Sequence, residues 1–233
     1  MKKQIYCRWL FYITGLLILA MGLTLNTKAG LGVSPIISVS YSISEIFHLN
    51  FGNMTLVLYS IFVVVELILH AVQGKNNSGK DRKLIFLMDV LQIPLSLVFT
   101  RFLNLFGSLL PDFFAGSSDW SEYLPLRLIV LALAIACTGV GASMSLSMRL
   151  VPNPGDGIVQ TIADCIQKNT GFTKNCFDLF NITVTIVLGL VLTHHLVGVG
   201  VGTVLAVIGV GRVIALFQHL AGGKIIALSG VHA

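Results

Sequence analysis

Charge is what this chain has least of. Asp, Glu, Lys and Arg make up 11% of its 233 residues, where a soluble globular domain carries about a quarter. The deficit falls in blocks of about 20 residues, the length a helix needs to cross a bilayer. With 55% hydrophobic residues and a mean hydropathy of +0.88, a water-soluble fold is excluded. Cysteine is scarce as well. Cys7, Cys137, Cys165 and Cys176 have no metal-type spacing, and reduced packing residues are expected, with no metal site. No basic-aromatic surface of the kind single-stranded nucleic acid needs is present. HExxH, GxSxG and SxxK are all missing, so neither a catalytic residue nor a cofactor is expected. The net charge of +5 comes largely from Lys and Arg beside apolar runs, where basic residues act as topology signals.

What is present is apolar runs in a repeating order. Spans are expected near Trp9–Leu25, Met54–Val72, Leu84–Phe106, Arg127–Ser147, Phe172–Leu192 and Gly198–Gln218. The basic N-terminus followed by a long apolar run reads as an uncleaved first span rather than a signal peptide. Lys28–Leu49 returns near Met148–Lys168, and a slide of 119 positions aligns Arg8 with Arg127, Gly22 with Gly141, Pro35 with Pro154, Gly52 with Gly171 and Glu45 with Asp164. Repeat 1 covers about 8–106, an outer acidic loop 107–126, repeat 2 about 127–218, and a cytoplasmic tail 219–233.

After the first span of each copy comes a segment of about 15 residues that starts at Pro35 or Pro154. At about 1.5 Å per residue it is too short to cross. If both segments turn back, Lys2, Lys3, Arg8, Lys75, Lys80, Arg82, Lys83, Arg149, Lys168, Lys174 and Lys224 lie on one side. Lys28, Arg101 and Arg127 then lie on the other. The positive-inside rule favours this six-span arrangement over eight spans, with both termini cytoplasmic. An odd number of spans per copy turns the second copy upside down. The fold class is therefore an all-α polytopic membrane protein: six transmembrane helices as two inverted three-helix repeats, each with a short broken or re-entrant helix. Ser34 and Asn153 suit the N-cap of these helices, Pro35 and Pro154 the first helical position, and Asp156 the first turn.

GLGVSP, after a Gly-containing first span, resembles the GLGxSP signature of YczE/YitT-like bacterial membrane proteins, and NPGDGIVQ is similar to a second stretch of that group. Ile36-Ile37 depart from the aromatic–acid pair expected after the proline. The resemblance runs from about Trp9 to Phe217. It implies a bacterial inner-membrane protein with no established activity.

In transporters built from inverted repeats, interrupted helices meet near the midplane around the substrate, and helix N-termini are anion sites. Ser34, Pro35, Ser38, Asn153, Pro154, Asp156 and Gln160 are thus the candidate substrate-binding residues. The plainer reading has both short helices lying flat in the headgroup region, binding nothing. Glu45 and Asp164 are either coupling carboxylates or solvated helix ends. Glu66, Asp89 and Arg212 share one depth in the six-span arrangement, which makes an Asp89–Arg212 or Glu66–Arg212 pair the leading expectation, ahead of snorkelling or a gate. His194-His195 default to surface exposure, and Gly198, Gly200, Gly202, Gly209 and Gly211 to helix packing.

Two function classes follow. One is a small secondary transporter or exporter of a small solute, anions included, for which the size of the chain is compatible with a homodimer. The other is a non-transporting accessory or anchoring protein for a cytoplasmic enzyme system, docking through Gly74–Lys83.

Overall fold

The computed structural model describes residues 2–73, 79–114 and 123–231. All the regular structure among the described residues is helical, with no strand: α1 (Lys2–Ala29), α2 (Pro35–Phe47), α3 (Phe51–Gln73), α4 (Gly79–Leu109), α5 (Leu124–Ser147), α6 (Pro154–Ile166), α7 (Thr170–Thr193), α8 (Val201–Phe217) and α9 (Gly223–Ser229), with a π turn at Gln218–Gly222 joining the last two. Six helical segments are long and apolar enough to cross a membrane: Gln4–Ala29, Phe51–Gln73, Lys83–Leu109, Leu124–Ser147, Thr170–Thr193 and Val201–Ser229. They coincide with the six expected spans except at the C-terminal end. The expected tail from residue 219 continues as helix instead, with Ile225 and Ser229 buried and α9 packed on α1. Lys224 is the one charged residue between Gln218 and Ser229, so nothing in this stretch forces the chain out of an apolar setting. Part of the expected docking loop (74–78) and of the acidic loop (115–122) lies outside the described residues.

At the centre stand α1 and α5. Half or more of their apolar windows is buried, 50% and 56%, against 17–28% for the other four spans. The outer helices turn Ile61, Val64, Val98, Leu179, Phe180 and Val204 outward, as lipid contact requires.

The central pair runs antiparallel. Near the start of α1, Arg8 donates from Nε to Met148 O at 2.7 Å and from Nη2 to Arg149 O at 2.8 Å. Near the start of α5, Arg127 Nη1 donates to Ala29 O at 3.2 Å. Midway along, glycine lets the two backbones touch. A β-carbon on Gly22 would lie 2.5 Å from Thr138 N, and one on Gly141 would run into the backbone of Leu19 and Gly15.

The short helices turn back. α2 ends where α3 begins, at the end of the bundle where Gly52 N donates to Asn104 Oδ1 and Lys28 pairs with Asp112. α6 ends at the opposite end, where Gln73 Nε2 donates to Asp164 O at 3.4 Å. Both start deep inside. They are 13 residues each and close with left-handed C-caps of matching backbone, His48 (φ 53°, ψ 41°) and Gln167 (φ 53°, ψ 42°). Each packs on the other half of the chain, α2 on α7 and α6 on α3, while α1 also contacts α4 and α5 contacts α8.

Candidate functional site

Proline begins both short helices at the position where a missing N–H costs nothing, with Ser34 and Asn153 as the N-cap residues. Neither side chain makes a capping hydrogen bond. Both line a cavity of about 40 Å³ in the middle of the molecule. Leu19 and Leu23 of α1, Thr138 and Ala142 of α5, Tyr59 of α3, Gly155 and Asp156 of α6 and Lys174 of α7 complete most of its wall. Asn153 Nδ2 donates to Tyr59 Oη at 3.3 Å. Asn153 Oδ1 and Thr138 Oγ1 are buried and have no partner, so the cavity presents polar atoms not used up by the fold. Two helix N-termini direct partial positive charge into it, and Lys174 adds a full one. Half-buried Asp156 opposes them, while Lys174 is itself tied to Asp178 (Nζ–Oδ2 3.3 Å). A space of this size admits water or one small ion, water taking about 30 Å³ in the liquid.

A cavity opens at each end of the bundle. At the end where α2 finishes, one of about 800 Å³ is lined by Thr24, Lys28, Tyr41, Glu45, Asp112 and Arg127, among others. At the end where α6 finishes, one of about 190 Å³ runs from exposed Gln160 and Asp164 inward to buried Glu66, Asp89 and Gln92. Glu45 and Asp164 are separated by 119 positions, as are Tyr41 and Gln160. The corresponding segments thus line mouths at opposite ends.

The candidate substrate residues divide. Ser34, Asn153 and Asp156 meet at the central cavity, next to buried Pro35 and Pro154. Ser38 does not join them: its hydroxyl donates to Pro35 O at 2.8 Å and sits 2.7 Å from Thr185 Oγ1. Gln160 belongs to the end cavity. The expected pairing of Arg212 with Asp89 or Glu66 is corrected. Asp89 Oδ2 lies 2.7 Å from His70 Nδ1, and Glu66 Oε2 accepts from Gln92 Nε2 at 2.7 Å. Arg212 is exposed on α8, which packs chiefly on α5. His70, Gln92, Tyr59, Thr138 and Lys174 were absent from the sequence-based candidates. A polar residue within an apolar run was the available signal for most of them.

The remaining expectations concern local chemistry. The four cysteines are free, and among the described residues no group of three or more His, Cys, Asp or Glu is arranged to hold a metal ion. His194 and His195 are exposed. Gly200 and Gly202 press on the backbone of Leu31, and Gly209 on Ile135, whereas Gly211 has open space beside it.

Among curated proteins the chain is similar to the uncharacterized membrane protein YczE of Bacillus subtilis (strain 168), with 36% identity over 64 residues. That match covers 27% of this chain and 30% of the relative, so the shared stretch spans less than a third of the relative's length. No solved structure matches the chain. A family model described as a family of unknown function (DUF6198) matches residues 6–219. Taken with the six apolar helices, this agrees with the YczE-like resemblance read in GLGVSP: the chain is a membrane protein belonging to the DUF6198 family.

Proposed function

We propose that this protein is a small secondary transporter that moves a small solute by alternating access, with its site between the N-termini of α2 and α6. The observation that carries this reading is the convergence of two proline-started half-helices on one central cavity, with a separate mouth at either end. Helices that cross the whole bilayer would have no reason to begin in the middle, and interfacial helices would not bury Ser34 and Asn153. The reading takes the two halves as an inverted repeat. Its support is the recurrence of element starts at 119 positions, the antiparallel α1–α5 pair, and the crossed packing of α2 on α7 and α6 on α3. Partial positive charge from two helix N-termini and Lys174 suits an anionic group on the solute, with Asp156 able to balance it. On this reading the protein sits in a bacterial plasma membrane, as the YczE-like resemblance implies, and the positive-inside rule puts both termini in the cytoplasm, which makes the α6 mouth the inner one.

The test uses single cysteines at positions 34 and 153, in a background with Cys7, Cys137, Cys165 and Cys176 replaced. A membrane-impermeant thiol reagent should reach each position from either side of sealed vesicles. Reaction from one side alone, or from neither, would remove the support for alternating access. Ser34→Leu or Asn153→Leu should insert normally and abolish solute flux.

A further inference from the structure

Glu66 and Gln92 are 1% and 0% exposed, yet each keeps one oxygen without a hydrogen-bond partner. Gln92 Nε2 donates to Glu66 Oε2 at 2.7 Å. The remaining atoms, Glu66 Oε1 and Gln92 Oε1, face the bare backbone of Gly157, where a β-carbon would sit 3.0 Å from both. Buried acceptors are expensive to leave without a donor or a cation, the more so when charged.

The other half finishes the same place differently. Ser38 stands 119 positions before Gly157, and Thr185 the same distance after Glu66. There the two hydroxyls meet at 2.7 Å beside the carbonyls of Pro35 and Asn181, and neither oxygen is left without a partner. Gly and Glu in place of Ser and Thr remove both hydroxyls and add a carboxylate. The resulting set of acceptors, one of them from a carboxyl group, lines the 190 Å³ cavity.

Charge around the cavity points the same way. Asp89 faces in from α4 and Asp164 from α6, while His70, on the same helix as Glu66, is held by Asp89 with its Nε2 3.4 Å from Thr161 Oγ1. Carboxylates outnumber the imidazole. Among the described residues no cluster of three or more His, Cys, Asp or Glu is built for a metal ion, which argues against a zinc-like ligand. Carboxylate and amide oxygens instead suit a hard cation, and a single carboxyl group among the unpartnered oxygens favours one of single charge.

We propose that Glu66 and Gln92, beside Gly157, bind a monovalent cation of alkali-ion or ammonium size. Under the transport reading this ion is the coupling ion, but its binding does not depend on flux.

The test is thermal unfolding of the purified, detergent-solubilised full chain in sodium, potassium and ammonium chloride, each against choline chloride at equal ionic strength. At least one of the three should raise Tm by about 2–4 °C in a saturable way. The rise should vanish in Glu66→Gln, which removes the ionisable oxygen. It should also vanish in Gly157→Ser, which keeps the carboxyl group and supplies the hydroxyl the other half already uses. Should Glu66→Gln fail to fold, Gly157→Ser carries the test alone. An equal response to choline, or a rise that survives in either folded variant, overturns the proposal. A response to pH with no salt dependence overturns it too, assigning the site to a proton. Because no flux is measured, a negative result leaves the transport reading standing, and silent cysteines at 34 and 153 would leave the cation site standing.

Discussion

Gly22 and Gly141 hold the structure together by what they omit. Each lies where any β-carbon would meet the backbone of the partner helix, so no rotamer change relieves the clash. Gly22→Ala and Gly141→Ala should each cost about 1–3 kcal/mol, seen as a Tm lower by several degrees in detergent. An unchanged Tm would mean that α1 and α5 are not in backbone contact. The arginines supply a second comparison. Arg8 bonds two carbonyls at the end of α5, and charged hydrogen bonds contribute about 1.5–3 kcal/mol. Arg8→Leu should therefore lower Tm clearly, while Arg212→Leu, on an exposed face, should shift stability by no more than about 0.5 kcal/mol. Counting residues from a span end puts Glu66, Asp89 and Arg212 at one depth, which is why a sequence reading pairs them. Depth is legible in a sequence and direction around the helix axis is not. Two buried carboxylates found His70 and Gln92 because α3 faces α4, and nothing in the chain's order of residues says that α8 faces elsewhere.

At the level of the element, the starts of α2 and α6 were readable because a small polar residue followed by proline has few other uses. The caps themselves differ from the rule. An N-cap side chain bonded to the first turn contributes about 0.5–2 kcal/mol, and Asn169 at the start of α7 makes such a bond, accepting from Gly171 N at 2.7 Å. Ser34 and Asn153 make none. Asn169→Ala should accordingly cost about 1 kcal/mol, whereas Ser34→Ala should leave Tm almost unmoved. Thermal denaturation of the two variants side by side decides it. A large loss at Ser34 would mean that the hydroxyl serves the helix and not the cavity.

For the whole molecule, the apolar runs foretold six spans, and the 119-residue recurrence foretold that α2 and α6 would start alike. Cavity size was beyond reach, since it depends on how Leu19, Leu23 and Ile36 pack from different helices. The two mouths make a sidedness prediction. A cysteine at Glu45 should react with impermeant reagent from one face of the membrane and a cysteine at Asp164 from the other. Labelling of both from a common face would contradict the turning-back of the short helices.

The antiparallel glycine crossing has a mechanical consequence. Where Gly22 and Gly141 bring the two main chains into contact there is little side chain to repack, so α1 and α5 should move as one stiff axle. Under the transport reading, the rearrangement that widens one mouth and narrows the other is carried by the parts mounted around that axle, with α2 riding on α7 and α6 on α3. On that reading a covalent cross-link between α1 and α5 should be tolerated during solute flux, while one that staples α6 to α3 should abolish it.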